Sequence, residues 1–186
     1  IFYQLPALLM EGTAIVVSPL ISLMKDQVEA LQANGIHARA LNSNNNDTEN
    51  VMLRRDCLQG KVKLLYISPE RLLMEMDFLL KEIKVSLFAI DEAHCISQWG
   101  YDFRPAYLKI KELRRLIPDT PILALTASAT PQVAKDIMEQ LSFAEPNILQ
   151  SSFLRPNLSY SVRQTDDKET QLMRIINNVP GCGIVY

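Results

Sequence analysis

Short apolar runs alternate along the chain with segments in which apolar residues recur at a helical spacing. The apolar runs are short enough to be strands buried on both faces. The predicted strands lie at residues 14–18, 36–41, 62–67, 86–90, 122–125, 147–150 and 183–186, some of which, such as 36–41 and 147–150, also contain polar residues. Helical spacing is found at residues 1–10, 21–33, 51–58, 106–117, 131–141 and 172–176. This alternation predicts an α/β fold, a three-layer domain in which helices cover both faces of a mainly parallel central sheet.

A polar residue closes or directly follows four of the predicted strands. These residues are Ser18, Ser68, Asp91 and Thr126. In an open parallel sheet the carboxyl ends of the strands meet at one edge, and ligands bind there. We therefore expect these four residues to line the same edge of the sheet.

Two adjacent carboxylates, Asp91 and Glu92, stand at the end of an apolar run. Such a pair suits a hydrated magnesium ion, which prefers oxygen ligands and keeps several of its waters. One carboxylate can then hold the ion while the other accepts a proton from an attacking water, as phosphoryl transfer requires. Acidic residues in the first turn of a helix are the structural alternative, and the pair alone does not decide between the two.

Large aromatic side chains follow the acid pair within a polar segment. Trp99 and Phe103 lie among Gly, Gln, Asp and Pro residues that have no apolar period, which indicates a loop. A core position is the alternative for each ring. Aromatic rings displayed on a polar loop are typical of binding surfaces, so we favour the binding hypothesis.

Composition limits the possible classes of protein without selecting one. The chain has 186 residues, 48% of them hydrophobic, which is enough for one well-packed domain. No apolar run approaches the roughly 20 residues of a membrane span, and the opening residues do not form a signal-peptide pattern. The net charge of −2 gives no support to a broad basic surface for nucleic acid. Local contacts and helix N-termini could still hold a strand.

The cysteines and histidines predict neither a zinc site nor a disulfide framework. Cys57, Cys95 and Cys182 are far apart in sequence, and His37 and His94 do not form a metal-binding pair. Three reduced cysteines in an intracellular protein are the simplest interpretation.

The acid box and the loop after it resemble a known family. Residues 91–105 read Asp-Glu-Ala-His-Cys-Ile-Ser-Gln-Trp-Gly-Tyr-Asp-Phe-Arg-Pro. They resemble motif II and the aromatic-rich loop of RecQ-family DNA helicases, with Tyr101 where that family more often has His. Further resemblances cover motif Ia at residues 18–27, motif Ib at 68–72, motif III at 126–131 and the end of the first motor lobe at 153–158. The resemblance implies a RecA-like fold of the P-loop NTPase type.

The resemblance also implies ATP and Mg²⁺ as cofactors and gives the acid box its roles. Asp91 would hold the magnesium of MgATP through water, and Glu92 would orient and deprotonate the attacking water. His94 and Gln4 would also lie on the nucleotide side. The coupling residues between the ATP and DNA sides would be Thr126, Ser128 and Thr130.

Single-stranded and partially duplex DNA is the partner that the resemblance implies. The DNA-binding residues would be Ser18, Lys25, Ser68, Trp99, Phe103, Arg104, Arg155 and Asn157. Without the resemblance, Lys25 is interpreted more simply as a solvated helix charge. Ser68 and Thr130 then become parts of ordinary turns that begin helices.

On this basis we expect residues 1–163 to form a first RecA-like lobe and residues 164–186 to form a linker and the start of a second. The Gly-Lys-Ser/Thr phosphate-binding loop is absent from this numbering, so we expect the lobe to lack its N-terminal part and the segment alone to be inactive. The predicted function is a 3′-to-5′ ATP-dependent DNA helicase of repair or recombination, in the cytoplasm or the nucleus. The alternatives are a non-catalytic DNA-binding module with a motor fold and a superfamily 2 RNA helicase.

Overall fold

Five parallel strands form one open sheet. The computed structural model describes residues 2–77, 79–99, 102–152 and 154–186, with the side chains of all of these except Arg114 and Arg115. Along the chain the strands are β1 (Thr13–Val17), β2 (Ala38–Leu41), β3 (Leu64–Ile67), β4 (Val85–Ile90) and β5 (Ile122–Ala124). Their spatial order is β2-β3-β1-β4-β5, and every neighbouring pair is parallel. The predicted parallel sheet is confirmed.

Helices follow most of the strands. They are α1 (Gln4–Leu9), α2 (Ile21–Ala33), α3 (Asp47–Leu58), α4 (Pro69–Glu75), α5 (Leu79–Glu82), α6 (Pro105–Leu108), α7 (Leu113–Leu116), α8 (Pro131–Gln140) and α9 (Lys168–Asn178). Two 3₁₀ turns, Ala93–Ile96 and Lys109–Glu112, lie before α6 and α7 respectively. Asn46 begins α3 with a reciprocal capping box to Glu49.

Two apolar layers cover the sheet, because successive residues of a strand point to opposite faces. On one face, Ala14 and Val16 of β1 pack with α1 and α2. On the other face, Ile15 and Val17 pack in the cluster that also contains side chains of α3 to α8. All five residues of β1 are buried, which explains why residues 14–17 are continuously apolar instead of alternating. The three-layer architecture is as predicted.

The segment predicted as one helix at residues 106–117 is divided into α6, a 3₁₀ turn and α7. Tyr107, Ile110 and Leu113 are its fully buried residues, and they recur at intervals of three. The 3₁₀ turn at Lys109–Glu112 interrupts the α-helical register between α6 and α7. Leu108 is half-buried, and Tyr107 occupies the core position beside it.

The chain divides into two compact units, Ile1–Pro146 and Asn147–Tyr186. The second unit contains α9, whose N-terminus is capped by the Asp167 carboxylate, and this helix was predicted. The strands predicted at residues 147–150 and 183–186 were wrong: the described residues there pair with no other segment. A strand exists only through hydrogen bonds to a neighbour, which an apolar run alone does not supply. The lobe boundary at residue 163 stays a prediction.

Gly12 occupies the turn that leads into β1, where the backbone admits no side chain. Its φ angle is +106°, and a Cβ at this position would lie 2.3 Å from the main-chain oxygen of Lys84. That oxygen accepts a hydrogen bond from the Thr13 amide at 2.9 Å, so it cannot move away without breaking the pairing of β1 with β4.

We predict that Gly12→Ala lowers the free energy of unfolding by about 1–3 kcal/mol from backbone strain alone, and by more once the contact with Lys84 is included. Gly60→Ala is the matched control. Its φ is +67° and its Cβ would meet nothing within 4 Å, so the cost should be only about 1 kcal/mol. Urea unfolding of the two purified variants measures both. Equal losses of unfolding free energy in the two variants would show that the contact between the new Cβ and Lys84 adds no cost at Gly12.

Candidate active site and nucleic-acid interface

The polar residues at the strand ends lie along one edge of the sheet, as predicted. Because the spatial order is β3-β1-β4-β5, they follow one another as Ser68, Ser18, Asp91 and Thr126. Main-chain hydrogen bonds hold the row together: the Ser18 amide donates to Ile67 at 3.1 Å, and the Asp91 amide donates to Val17 at 2.8 Å. The parallel ladder therefore continues into the residues of the candidate site.

Asp91 and Glu92 differ in backbone and in surroundings. Glu92 adopts the left-handed conformation (φ 49°, ψ 44°), which is uncommon for a residue other than glycine. This turns the chain abruptly out of β4, so the structural alternative of acids in the first turn of an α-helix does not apply. Burial raises the pKa of Asp91 above its ordinary value, an effect that the Glu92 amide and the nearby His94 partly oppose. The Glu92 amide donates to Asp91 Oδ1 at 3.0 Å.

His94 connects the acid pair to the segment after β5. Its Nδ1 lies 3.0 Å from Thr126 Oγ1 and 3.3 Å from Glu92 Oε2. Thr126 Oγ1 also accepts a hydrogen bond from the Ser128 amide at 3.3 Å. Of the three predicted coupling residues, Thr126 and Ser128 thus belong to the network of the acid box. Thr130 does not: its hydroxyl caps α8 by accepting from the Val133 amide.

Gln4 belongs to a hydrogen-bonded cluster between α1, α2 and β3. Its Nε2 donates to the Tyr66 hydroxyl at 3.2 Å. The hydroxyls of Tyr66 and Tyr3 both donate to Gln27 Oε1, at 2.9 and 2.5 Å. Burial, together with the nearby Asp91 charge, raises the pKa of both tyrosines, so they keep their protons and act as donors. The cluster fixes α1 and α2 to the sheet beside the acid pair.

The described residues of the aromatic segment after the acid box, 97–99 and 102–104, form neither a helix nor a strand. Trp99 is 73% exposed, and its amide donates to Ser97 Oγ at 3.2 Å. Phe103 is half-buried. The Arg104 guanidinium donates through Nε and Nη2 to Asp102 Oδ2, at 3.1 and 2.9 Å. Tyr101, the position that departs from the RecQ pattern, lies outside the described residues.

The remaining predicted DNA-binding residues are placed differently from one another. Lys25 is exposed and lies 3.8 Å from Glu29. Ser18 and Ser68 are buried: the Ser68 hydroxyl caps α4 by accepting from the Arg71 amide, as the structural alternative held. Arg155 and Asn157 are exposed residues of the second unit, in the segment that follows Phe153, which is not described.

The N-terminus of α2 differs from those of the other long helices. Helices α3, α4, α8 and α9 each have a side-chain cap, supplied by Asn46, Ser68, Thr130 and Asp167. Helix α2 has no side-chain cap and no acidic residue in its first turn. It begins three residues after Ser18, at the same edge as the acid pair. Free amides at such a terminus favour an anion.

The acid pair fits a magnesium ion held mainly by water and phosphate. Within residues 2–77, 79–99, 102–152 and 154–186, no group of three His, Cys, Asp or Glu side chains could enclose a metal ion. Mg²⁺ does not need such a cage, because it commonly takes one or two carboxylates and completes its octahedron with waters and phosphate oxygens. Asp91, half-buried at the open edge, provides that kind of ligand.

Sequence reasoning missed Tyr107. This side chain is fully buried and donates a hydrogen bond to the main-chain oxygen of Asp91 at 3.1 Å. The helical pattern of residues 106–117 predicts Leu108 on the inner face together with Ile110 and Leu113, and Tyr107 takes that place in the structure.

Comparisons with known proteins agree with this geometry. The sequence pattern of DEAD/DEAH box helicases matches residues 1–137. The chain is 49% identical over 189 residues to the ATP-dependent DNA helicase RecQ of Bacillus subtilis, covering 100% of this chain and 32% of that protein. It is 46% identical over 186 residues to RecQ of Pasteurella multocida, covering 99% of this chain and 29% of that protein. Among solved structures, the Hef helicase domain of Pyrococcus furiosus matches 77% of this chain and 30% of that one, with a TM-score of 0.51 and 20% identity.

The fold and the acid box at its edge define a RecA-like α/β domain. The chain belongs to the DEAD/DEAH box helicase family, and it is similar to RecQ helicases over nearly all of its length. It spans less than a third of the length of the two RecQ proteins. In the part of the chain that the structure describes, no helix has both the length and the apolar character needed to cross a membrane.

We predict that Asp91→Asn stabilises the fold at neutral pH. Because burial raises the pKa of Asp91, the native state holds this proton more tightly than the unfolded chain does. The ionised carboxylate therefore costs stability above its folded pKa, and the cost disappears below the unfolded value of about 4. Asn removes the charge but keeps an Oδ1 for the Glu92 amide. The variant should melt above the parent at about pH 7.5, and the two should converge toward about pH 4.

Asp119→Asn, at an exposed position, is the control for general charge effects. It should change the melting temperature little at either pH. A lower melting temperature for Asp91→Asn at neutral pH would contradict the prediction, because it would mean that partners of the carboxylate outweigh its burial.

Proposed function

We propose that this chain is part of the motor of an ATP-dependent DNA helicase of the RecQ type. The observation that carries the proposal is one arrangement: an acid pair at the carboxyl edge of a parallel sheet, followed within seven residues by a loop whose Trp99 is 73% exposed. An ATPase site and a surface for nucleic-acid bases then lie on one continuous segment. The names and the extent of the RecQ similarity support the same conclusion.

On the ATP side, each carboxylate has one role. Asp91 holds Mg²⁺ through water, and Glu92 orients the attacking water and accepts its proton. Bound Mg²⁺ supplies positive charge against the phosphate oxygens. His94 lies between Glu92 and Thr126 and keeps the Glu92 carboxylate in place. Gln4 contributes to the nucleotide side from α1. The left-handed backbone conformation of Glu92 turns the chain out of β4, and in our proposal this turn directs the Glu92 carboxylate toward the nucleotide.

On the DNA side, a few local contacts replace a basic surface, in keeping with the net charge of −2. Trp99 and Phe103 stack on bases, which is worth about 1–3 kcal/mol for each base. Arg104 and Lys25 add positive charge, and the uncapped N-terminus of α2 offers amides to a phosphate. Ser18 and Ser68 contribute through the turns they occupy, and Arg155 and Asn157 through the second unit. Thr126 and Ser128 connect the two sides through His94, and Thr130, the N-cap of α8, is assigned to the same coupling segment by the family resemblance alone.

For the whole protein we propose movement in the 3′-to-5′ direction on single-stranded DNA and unwinding of partially duplex DNA. The context would be repair or recombination in the cytoplasm or nucleus. Residues 1–163 would belong to the first lobe and 164–186 to the connection with the second. In a motor of this type the ATP site closes between two lobes, so we expect residues 1–186 alone not to unwind DNA.

The experiment that tests the proposal is ATP hydrolysis by the intact gene product, alone and with single-stranded DNA or single-stranded RNA. Strong stimulation by DNA alone is the expected result. Stimulation by RNA alone would favour an RNA helicase instead. Binding of DNA without hydrolysis would favour a non-catalytic DNA-binding module.

We predict that Glu92→Gln lowers the turnover number for ATP by at least about 100-fold, the scale of a lost general base. Gln keeps the size of the side chain, so nucleotide binding should stay largely unchanged. Steady-state hydrolysis and binding of a fluorescent ATP analogue measure the two effects. Glu139→Gln, on the exposed surface of α8, is the matched control and should hydrolyse ATP normally. Near-normal turnover in Glu92→Gln would remove Glu92 from this role.

We predict that Trp99→Ala preserves basal ATP hydrolysis and lowers its stimulation by single-stranded DNA. The reason is that the ring is 73% exposed, so it is available to stack on a base and contributes little to the packed core. Met52→Ala removes an apolar side chain of α3 that is 62% exposed, and it should change neither quantity. Equal loss of basal and stimulated hydrolysis in Trp99→Ala would indicate a structural role for the ring.

A further inference from the structure

Tyr107 places a hydroxyl group inside the core, against the backbone of the acid box. The residue is 0% exposed, and its hydroxyl donates to the main-chain oxygen of Asp91 at 3.1 Å. Burial raises the pKa of Tyr107 above its ordinary value. The hydroxyl therefore keeps its proton throughout the physiological range and always acts as a donor.

The carbonyl that Tyr107 holds belongs to the peptide group that joins Asp91 to Glu92. Because a peptide group is planar, fixing its oxygen restricts both ψ of Asp91 and φ of Glu92. The left-handed conformation of Glu92 is sparsely populated for such a residue and persists only where the surroundings impose it. The Ala93 amide restrains the same turn from the other side, by donating to Leu125 at 2.9 Å.

The backbone of Tyr107 is hydrogen-bonded to the end of the aromatic loop, whose described residues are 97–99 and 102–104. The Arg104 amide donates to the Cys95 carbonyl at 3.0 Å, which closes the loop. The Tyr107 amide donates to the Arg104 carbonyl at 2.9 Å, so Tyr107 and the last residue of the loop belong to one turn. A displacement of Arg104 is thereby transmitted to the hydroxyl that holds the peptide group before Glu92.

We propose that Tyr107 is a positioning residue for Glu92. Its hydroxyl holds the Asp91–Glu92 peptide group in the orientation that presents the Glu92 carboxylate at the edge of the sheet, and it passes movements of the aromatic loop to the acid pair. The first role concerns the folded chain itself. The second rests on the proposed function, in which the loop binds DNA and Glu92 acts on ATP.

The test is Tyr107→Phe in the intact protein, with Thr13→Val as the matched control. Each substitution removes one buried hydroxyl that donates to a main-chain oxygen and keeps nearly the same shape. Thr13 donates to Val62 at 2.7 Å and begins β1, at the opposite edge of the sheet from the acid pair. A merely structural effect should therefore be similar in the two variants.

The first readout is hydrogen–deuterium exchange and requires no enzymatic activity. In Tyr107→Phe the amides of residues 92–97 should exchange at least about tenfold faster than in the parent, because their turn opens more often. In Thr13→Val they should exchange at the parental rate. Equal exchange in the two variants at residues 92–97 would overturn the proposal, whether or not the protein hydrolyses ATP.

The second readout is ATP hydrolysis. Tyr107→Phe should lower kcat by about tenfold with KM for ATP within about twofold, since a displaced base affects the chemical step more than binding. Its stimulation by single-stranded DNA should fall as well, while Thr13→Val keeps both values. Faster exchange at residues 92–97 with an unchanged kcat would overturn the catalytic part. A parent protein that hydrolyses no ATP would instead refute the proposed function, and the exchange experiment would still decide the structural part.

Discussion

The pairing of β4 between β1 and β5 is the constraint on which the candidate site depends. Strand β4 is covered on both faces, so its last four residues, 87–90, are apolar and buried, and Ile90 ends this run. The ladder continues one step further on each side: the Asp91 amide donates to Val17, and the Leu125 amide donates to Ile90. The first carboxylate is thus held in place by main-chain bonds before any side chain of the site takes part.

From that point the chain has to turn, and the turn is costly in two ways. Asp91 is half-buried, so its ionised form loses solvation, and Glu92 adopts a backbone conformation that disfavours any residue but glycine. Neither feature improves the packing of the core. Both follow from placing two carboxylates at the edge of a sheet in different orientations. Strain and desolvation concentrated on two consecutive residues are typical of a functional site that the rest of the fold stabilises.

Much of this arrangement could be predicted from the sequence, because its causes are local. The buried strands are continuous apolar runs, and the row of Ser18, Ser68, Asp91 and Thr126 follows from parallel pairing alone. What could not be predicted depends on contacts between distant segments. Residues 147–150 and 183–186 were predicted as strands, but neither segment pairs with another described segment of the chain. The contact of His94 with Thr126 and the role of Tyr107 depend on side-chain geometry across 32 and 16 positions, which no periodicity records.

The DNA side of the proposed function presents the opposite problem, since an acidic chain has to bind a polyanion. A broad basic surface would bind tightly and release slowly, because each phosphate contact adds to a salt-dependent affinity. A motor that moves along a strand needs contacts that it can release in each cycle. The uncapped N-terminus of α2 supplies partial positive charge from amides without adding a cationic side chain. In the proposed function, exposed Trp99 adds stacking that does not depend on sequence, because every base has a face on which an aromatic ring can stack. The long helix without a side-chain cap thus begins at the same edge as the acid pair, where its free amides offset part of the negative charge that a phosphate would meet.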